Sequence, residues 1–379
     1  MSVSPTGGIR RSRPSAWPWG TGQTMRNTRT TRFWTKRICR RAQILAHRMA
    51  PVHGAPVRVI GVVLIEQMVF SLIPGEAVGI VHPSNNPVLD EKDLPEGSSR
   101  NDFRDPKIWQ DEDGTYCCVI GNRAADESGQ VLLYTSQDGF RWEFKSILAS
   151  NHNRIGKMWE CPDFFRLDGK WVILTSPQDM LSQGFEYHNG NGTLCLIGDY
   201  DKETGKFIEE SNQSIDYGID FYATQTLLTP DGRRVMIGWM QNWDTCNHRR
   251  KHEEAWFGQV SLPRELSIQN GRLCQKPIRE LEAMRCNRVA FENLTFSGNI
   301  YPEGLRGRRV DMEIVVRPVE GCDMYRKFAV RFAQNDQYQT SFSYRPGESV
   351  LKVDRKFSYQ FYRRSYFTTS MLTVPSAEK

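Results

Sequence analysis

Short apolar and aromatic runs alternate with Asp-Gly turns from about residue 86 onward, which predicts antiparallel hairpins. Lys107-Ile-Trp-Gln-Asp-Glu-Asp-Gly114 leads into Thr-Tyr-Cys-Cys-Val-Ile. Asp163-Phe-Phe-Arg-Leu-Asp-Gly169 leads into Lys-Trp-Val-Ile-Leu-Thr, and Thr226-Leu-Leu-Thr-Pro-Asp-Gly232 into Arg-Arg-Val-Met-Ile-Gly-Trp. The turn glycines are 55 and 63 residues apart. A second hairpin sits inside the spacing, around Gly139 and again around Gly205. Two hairpins per unit of about 60 residues make four strands per unit. Four-stranded units in series are the signature of propeller blades, whereas a plain sandwich does not usually repeat in sequence.

The pattern changes after Leu273. Residues 277–285 read as a short helical linker, and 288–355 as short alternating strands: 309–316, 328–332, 340–344 and 350–353. The tail from Tyr359 has no evident strand partner. The expected organisation is a basic leader over 1–85, a β-propeller domain of about three blades over 86–276, a linker over 277–287 and a partial β-sandwich over 288–379. The fold class is all-β, an incomplete five-bladed propeller followed by a truncated sandwich.

Charge separates the leader from the rest. Residues 1–65 hold eleven Arg, one Lys and no Asp or Glu. Subtracting those twelve charges from the overall +6 leaves residues 66–379 at −6. A mildly acidic body argues against a nucleic-acid groove there. The leader reads as an organelle presequence, as a basic arm for nucleic acid or anionic lipid, or, the favoured reading, as a stretch foreign to the fold and poorly ordered. No apolar run is long enough for a membrane helix, and the first residues lack the apolar stretch of a signal peptide. Nine cysteines without a CxxC pair point to a reducing, cytoplasmic setting rather than to a zinc ribbon or disulfide scaffold. His248 and His252, in a run of mixed charge, read as a solvated loop rather than a metal site. No metal or cofactor is implied.

Counting back nine residues from the turn glycines finds Asp105 before Gly114, Glu160 before Gly169 and Ala223 before Gly232. If these positions lie on the innermost strands, two carboxylates from neighbouring blades face one channel. A carboxyl pair suits glycoside hydrolysis, which needs a proton donor and a stabiliser of the positive charge that develops on the sugar ring. Trp109, Trp159, Trp239, Trp243 and Trp256 could supply stacking faces. The bland alternative, Asp105 capping a turn or pairing with Arg104 and Glu160 an ordinary surface acid, stands beside it.

Phe103-Arg104-Asp105-Pro106 and Trp159-Glu160-Cys161-Pro162-Asp163 resemble the RDP and EC motifs of glycoside hydrolase family 32, the invertases, β-fructofuranosidases and sucrose-6-phosphate hydrolases. Asp216-Tyr-Gly through Thr226, Gly238-Trp239-Met240, and the blocks from Trp256 to Leu266 and from Gly271 to Leu281 resemble further family motifs in order. The resemblance implies a five-bladed propeller followed by a β-sandwich, acting on a small sugar substrate. It implies Glu160 as general acid/base and Asp105 as transition-state stabiliser gripping fructose hydroxyls. Arg104 would stand beside Asp105, and Cys161 would tune the acid. Asp220, Tyr222, Trp239 and Trp159 would belong to the substrate pocket. The family's nucleophile is an Asp in an NDPNG motif, which this sequence does not contain. The expectation is a β-fructosidase lineage with impaired turnover. A carbohydrate-binding relict and an arabinanase or β-xylosidase-type hydrolase remain as alternatives. Oligomeric state is not legible.

Overall fold

The computed structural model describes residues 87–241, 243, 258–307 and 309–358, with the backbone of short strands at 44–46, 48–50, 62–64, 79–81 and 369–373. The chain divides into Met1–Arg40 and Arg41–Lys379. The first unit lies wholly outside the described residues, as does most of the basic leader. Within 44–81, β1 (Ile44–Ala46) pairs with β3 (Val62–Leu64), and β2 (Arg48–Ala50) with β4 (Gly79–Val81).

Three four-stranded antiparallel sheets follow, each a simple meander. The first holds β5 (Ser98–Gln110), β6 (Tyr116–Ala124), β7 (Gly129–Ser136) and β8 (Glu143–Ser150). The second holds β9 (Trp159–Leu167), β10 (Lys170–Pro177), β11 (Leu194–Asp201) and β12 (Lys206–Gln213). The third holds β13 (Tyr222–Leu228), β14 (Arg234–Trp239), β15 (Arg264–Gln269) and β16 (Arg272–Pro277). The glycines that mark the repeat sit in the hairpin turns. Asp168 and Gly169, with φ of 47° and 85°, form a two-residue turn whose twist matches the strands it joins. Asn270-Gly271 closes the last hairpin of the third sheet in the same way.

The sheets pack face to face as successive blades, so the middle strands of the first two are buried on both faces and read as near-continuous apolar runs, whereas the third leaves Ile237 of β14 exposed. Alternation then sends neighbouring residues to different cores. Cys117 and Val119 join the core between the first two blades, while Cys118 and Ile120 join Leu89, Leu132 and Tyr134 on the outer face of the first. Adjacent Cys117 and Cys118 therefore serve packing on opposite sides, as their place in a strand predicts. On β10, Ile173 enters the first core, and Val172 and Leu174 enter the core between the second and third blades. Each such side chain contributes about 1.5–3 kcal/mol when fully buried. A 3-10 turn, Arg279–Met284, occupies the expected linker.

The fourth four-stranded sheet runs β17 (Phe328–Phe332), β18 (Gln339–Arg345), β19 (Val350–Phe357) and β20 (Thr369–Thr373). Two expectations change here. Residues 309–316 form no strand: their alternation is strand-like, but no strand among the described residues pairs with them, and Val310, Met312 and Ile314 lie exposed. The tail, expected to lack a partner, pairs with β19 through Thr369–Thr373. Residues 359–368 lie outside the described residues. No helix among the described residues is long and apolar enough to cross a membrane.

Candidate active site

The first strand of each blade carries the same irregularity. On β5, Arg104 pairs with Gly121 but Lys107 with Val119. On β9, Glu160 pairs with Ser176 but Asp163 with Leu174, and on β13, Tyr222 pairs with Trp239 but Gln225 with Ile237. In each case two residues face one, which is a β-bulge. The first bulged residue is left-handed every time: Asp105 at φ 61°, Cys161 at 49° and Ala223 at 52°. Pro106 and Pro162 come next, where a missing N–H costs no ladder bond.

This register corrects the glycine count by one residue. The structural equivalents are Arg104, Glu160 and Tyr222, then Asp105, Cys161 and Ala223. The first and third hairpins close through loops at 111–115 and 229–233, whereas the second closes through Asp168-Gly169 alone. Past its bulge the middle strand runs one residue further and its turn is shorter, so equal counting slips by one position. Asp105 and Glu160 are thus not in matching register, yet the bulges still turn them toward a common point.

Glu160 is buried, at 8% exposure, and three donors from three elements converge on it. Arg104 Nε donates to Oε1 at 2.7 Å. Gln178 Nε2 donates to Oε2 at 2.9 Å, and the Tyr222 hydroxyl lies 2.7 Å from the same oxygen. Arg104 is itself held by Asp102 Oδ1 at 2.8 Å, and Arg123 pairs with the other Asp102 oxygen at 2.7 Å. Burial opposes the Arg104 charge, but Glu160 and Asp102 outweigh it and hold the guanidinium firmly protonated. Asn122 Nδ2 donates to the Asp102 and Ser99 carbonyls and fixes the irregular start of β5.

Asp105 is held differently. Its Oδ2 accepts the Cys161 backbone N–H at 2.9 Å and lies 3.5 Å from the Cys161 thiol. Burial, and then the charge of Glu160, push its carboxyl above the ordinary value, against the Cys161 bonds and Arg104. Both the amide and the thiol of Cys161 thus meet Asp105, with Glu160 acting on the thiol through its charge. Burial and then the Asp105 charge push that thiol well up. Tyr222 is buried against Glu160 and the Ser176 carbonyl, and burial drives its hydroxyl far up as well.

The remaining expected residues take other places. Trp159 is core: its indole N–H donates to the Ile155 carbonyl at 2.9 Å, and its ring packs between the first two blades. The reason is register, because Phe103, Trp159 and Phe221 are equivalent and all three are buried. Trp109 likewise packs edge-on against Phe164. Trp239 is half-buried, pairs with Tyr222 across the strand and meets Trp243 edge-on at 5.3 Å. Asp220 pairs with Arg355 of β19 at 2.6 Å. Trp256, His248 and His252 lie outside the described residues. Among the described residues no cluster of three or more His, Cys, Asp or Glu could hold a metal. Sequence reading missed Gln178, Ser176 and Asp102. Asp102 carried a signal, lying two residues before Arg104 on one face of a strand.

Residues 66–277 match the model of the glycosyl hydrolases family 32 N-terminal domain, and the chain belongs to that family. It is 42% identical over 183 residues to raffinose invertase of Escherichia coli, covering 48% of this chain and 38% of that protein. To sucrose-6-phosphate hydrolase of Staphylococcus xylosus it is 33% identical, covering 68% of this chain and 51% of that one. Among solved structures, a Bombyx mori GH32 β-fructofuranosidase variant in complex with sucrose superposes with a TM-score of 0.61 at 30% identity, over 79% of this chain and 59% of that one. The chain thus spans about half the length of the curated relatives it matches.

Proposed function

We propose that this chain binds the terminal non-reducing β-D-fructofuranoside of sucrose or sucrose 6-phosphate and carries the proton-transfer side of a retaining hydrolysis. Glu160 is the general acid/base, and Asp105 grips the sugar hydroxyls and stabilises the charge that develops on the ring. What supports the reading is the convergence of Arg104, Asp105, Glu160 and Tyr222 from three neighbouring strands on one point. The Tyr222 hydroxyl suits either protonation state of Glu160. It donates to the carboxylate at 2.7 Å, or turns its hydrogen to the Ser176 carbonyl at 2.9 Å and accepts from the acid. Seven unpaired cysteines among the described residues fit a cytoplasmic setting.

A retaining hydrolysis also needs a nucleophile that forms the glycosyl-enzyme. The family's Asn-Asp-Pro-Asn-Gly block does not occur in this sequence, and no Asp or Glu precedes Glu66. Binding without fast turnover is therefore our reading of this chain. Glucose release from sucrose is the test, run beside Glu160→Gln, with calorimetry of fructose binding run beside Asp105→Ala. We expect fructose binding that Asp105→Ala abolishes, and little glucose release. Robust release abolished by Glu160→Gln would overturn the impairment. No fructose binding and no release would overturn the fructoside reading.

A further inference from the structure

Just beyond the bulges, the three inner strands repeat the architecture of the site. Lys107, Asp163 and Gln225 are register equivalents, one per blade. Lys107 Nζ lies 3.2 Å from Asp163 Oδ2, 3.0 Å from Gln225 Oε1 and 2.8 Å from the Thr226 carbonyl. The Thr226 N–H donates to Asp163 Oδ2 at 2.7 Å, and Asp163 is 1% exposed. The same rule governs both layers. A carboxylate on the middle blade takes a cation from the preceding blade and a donor from the following one. In the site these are Glu160, Arg104 and Tyr222; in the layer beneath they are Asp163, Lys107 and the Thr226 amide.

The layers are joined through the bulge. Gln225 Nε2 donates to the Cys161 carbonyl at 3.3 Å, and the Cys161 N–H donates to Asp105. Separate blades share no backbone ladder, so side chains set the spacing of their inner strands. A buried carboxylate held by a lysine and an amide fixes that spacing more tightly than apolar contact does, because each bond has a preferred length and direction.

We infer that Lys107, Asp163 and Gln225 form a positioning layer that sets the separation of Asp105 and Glu160 above it. The inference rests on our reading of those two acids as a working pair. It assigns Lys107 and Asp163 to no contact with substrate.

The test separates positioning from simple structural support. Removing one partner strands a buried charge, so the informative variant is the double change Lys107→Met with Asp163→Asn, which removes both charges and keeps the volumes. Lys107→Arg is the conservative control. The readout is the titration of the Asp105 carboxyl by 13C NMR, assigned by its loss in Asp105→Asn. The groups acting on Asp105 are Glu160, Arg104 and Cys161. In the folded double variant we expect the Asp105 titration to fall toward its ordinary 3.8, and fructose affinity to fall about tenfold or more. Lys107→Arg keeps both closer to the parent. A folded double variant in which Asp105 titrates as in the parent overturns the inference. Should the double variant not fold, Gln225→Ala, which breaks the Lys107 and Cys161 bonds without removing a charge, is titrated in its place: a fall in the Asp105 value supports the inference, and a parent-like value overturns it. Absence of both fructose binding and glucose release in the parent would sink the proposed function, while the titration would still decide this inference.

Discussion

The second blade and the fourth sheet have the same strand count, the same meander order and opposite environments. In the second blade, Val172, Ile173 and Leu174 are fully buried, because a blade covers each face. Among the described side chains of the fourth sheet the buried ones are polar, Thr340 and Ser343, and the apolar side chains of β17 and β19 stay partly open. Residues 289–324 add Val289, Phe291, Leu294 and Phe296, all exposed. Backbone pairing is equally complete in both sheets. What differs is the cover over their faces, and that cover supplies most of the stabilisation.

Truncation probes the contrast most strongly. Leu174→Ala should destabilise by about 2–5 kcal/mol in urea unfolding, because it opens a cavity in a packed core. Val353→Ala, on β19, should cost about 1 kcal/mol or less. Equal losses would mean that the fourth sheet is covered after all.

Adding a methyl comes next. A Cβ at Gly129 would stand 2.2 Å from the Lys157 carbonyl oxygen and 2.4 Å from the Trp159 ring. Gly129→Ala should therefore cost about 1–3 kcal/mol. At Gly347, in the fourth sheet's turn, a Cβ meets nothing, and Gly347→Ala should leave the thermal midpoint nearly unchanged.

The smallest effect is in the pH dependence, and its sign differs between the regions. The raised Asp105 carboxyl binds its proton more tightly folded than unfolded. Its contribution to stability is therefore present below 3.8 and is lost as pH rises through the higher folded value. Asp354 on β19 is lowered: burial opposes its charge, but Lys352 and the Lys356 amide prevail. Its contribution is present above 3.8 and lost as pH falls through the lower folded value. Stability profiles of Asp105→Asn and Asp354→Asn against the parent should diverge on opposite sides of 3.8. The same slope change in both would refute the assignment.

The hairpins were legible because Asp-Gly pairs demand left-handed backbone and so mark the turns directly. The bulges were not, because a bulge alters pairing without altering composition. Counting from Gly114 and Gly169 therefore aligned Asp105 with Glu160, when its true counterpart is Cys161. That one-residue slip also hid Trp159, whose equivalence to Phe103 places it in the core. The strand expected at 309–316 shows the converse failure. Alternation reports which residues could share a face, not whether another strand lies alongside. Arg104 and Glu160 were legible as motif residues, whereas Gln178 and Ser176 lie in β10 and its exit and meet Glu160 only through the fold.

The left-handed kink forms in each blade whether Asp, Cys or Ala occupies it. The backbone thus makes a socket whose shape does not depend on its tenant. Lineages built on such a scaffold can exchange the chemistry mounted at the channel without rebuilding the sheets behind it, and in this chain Ala223 is a mount that carries no functional group.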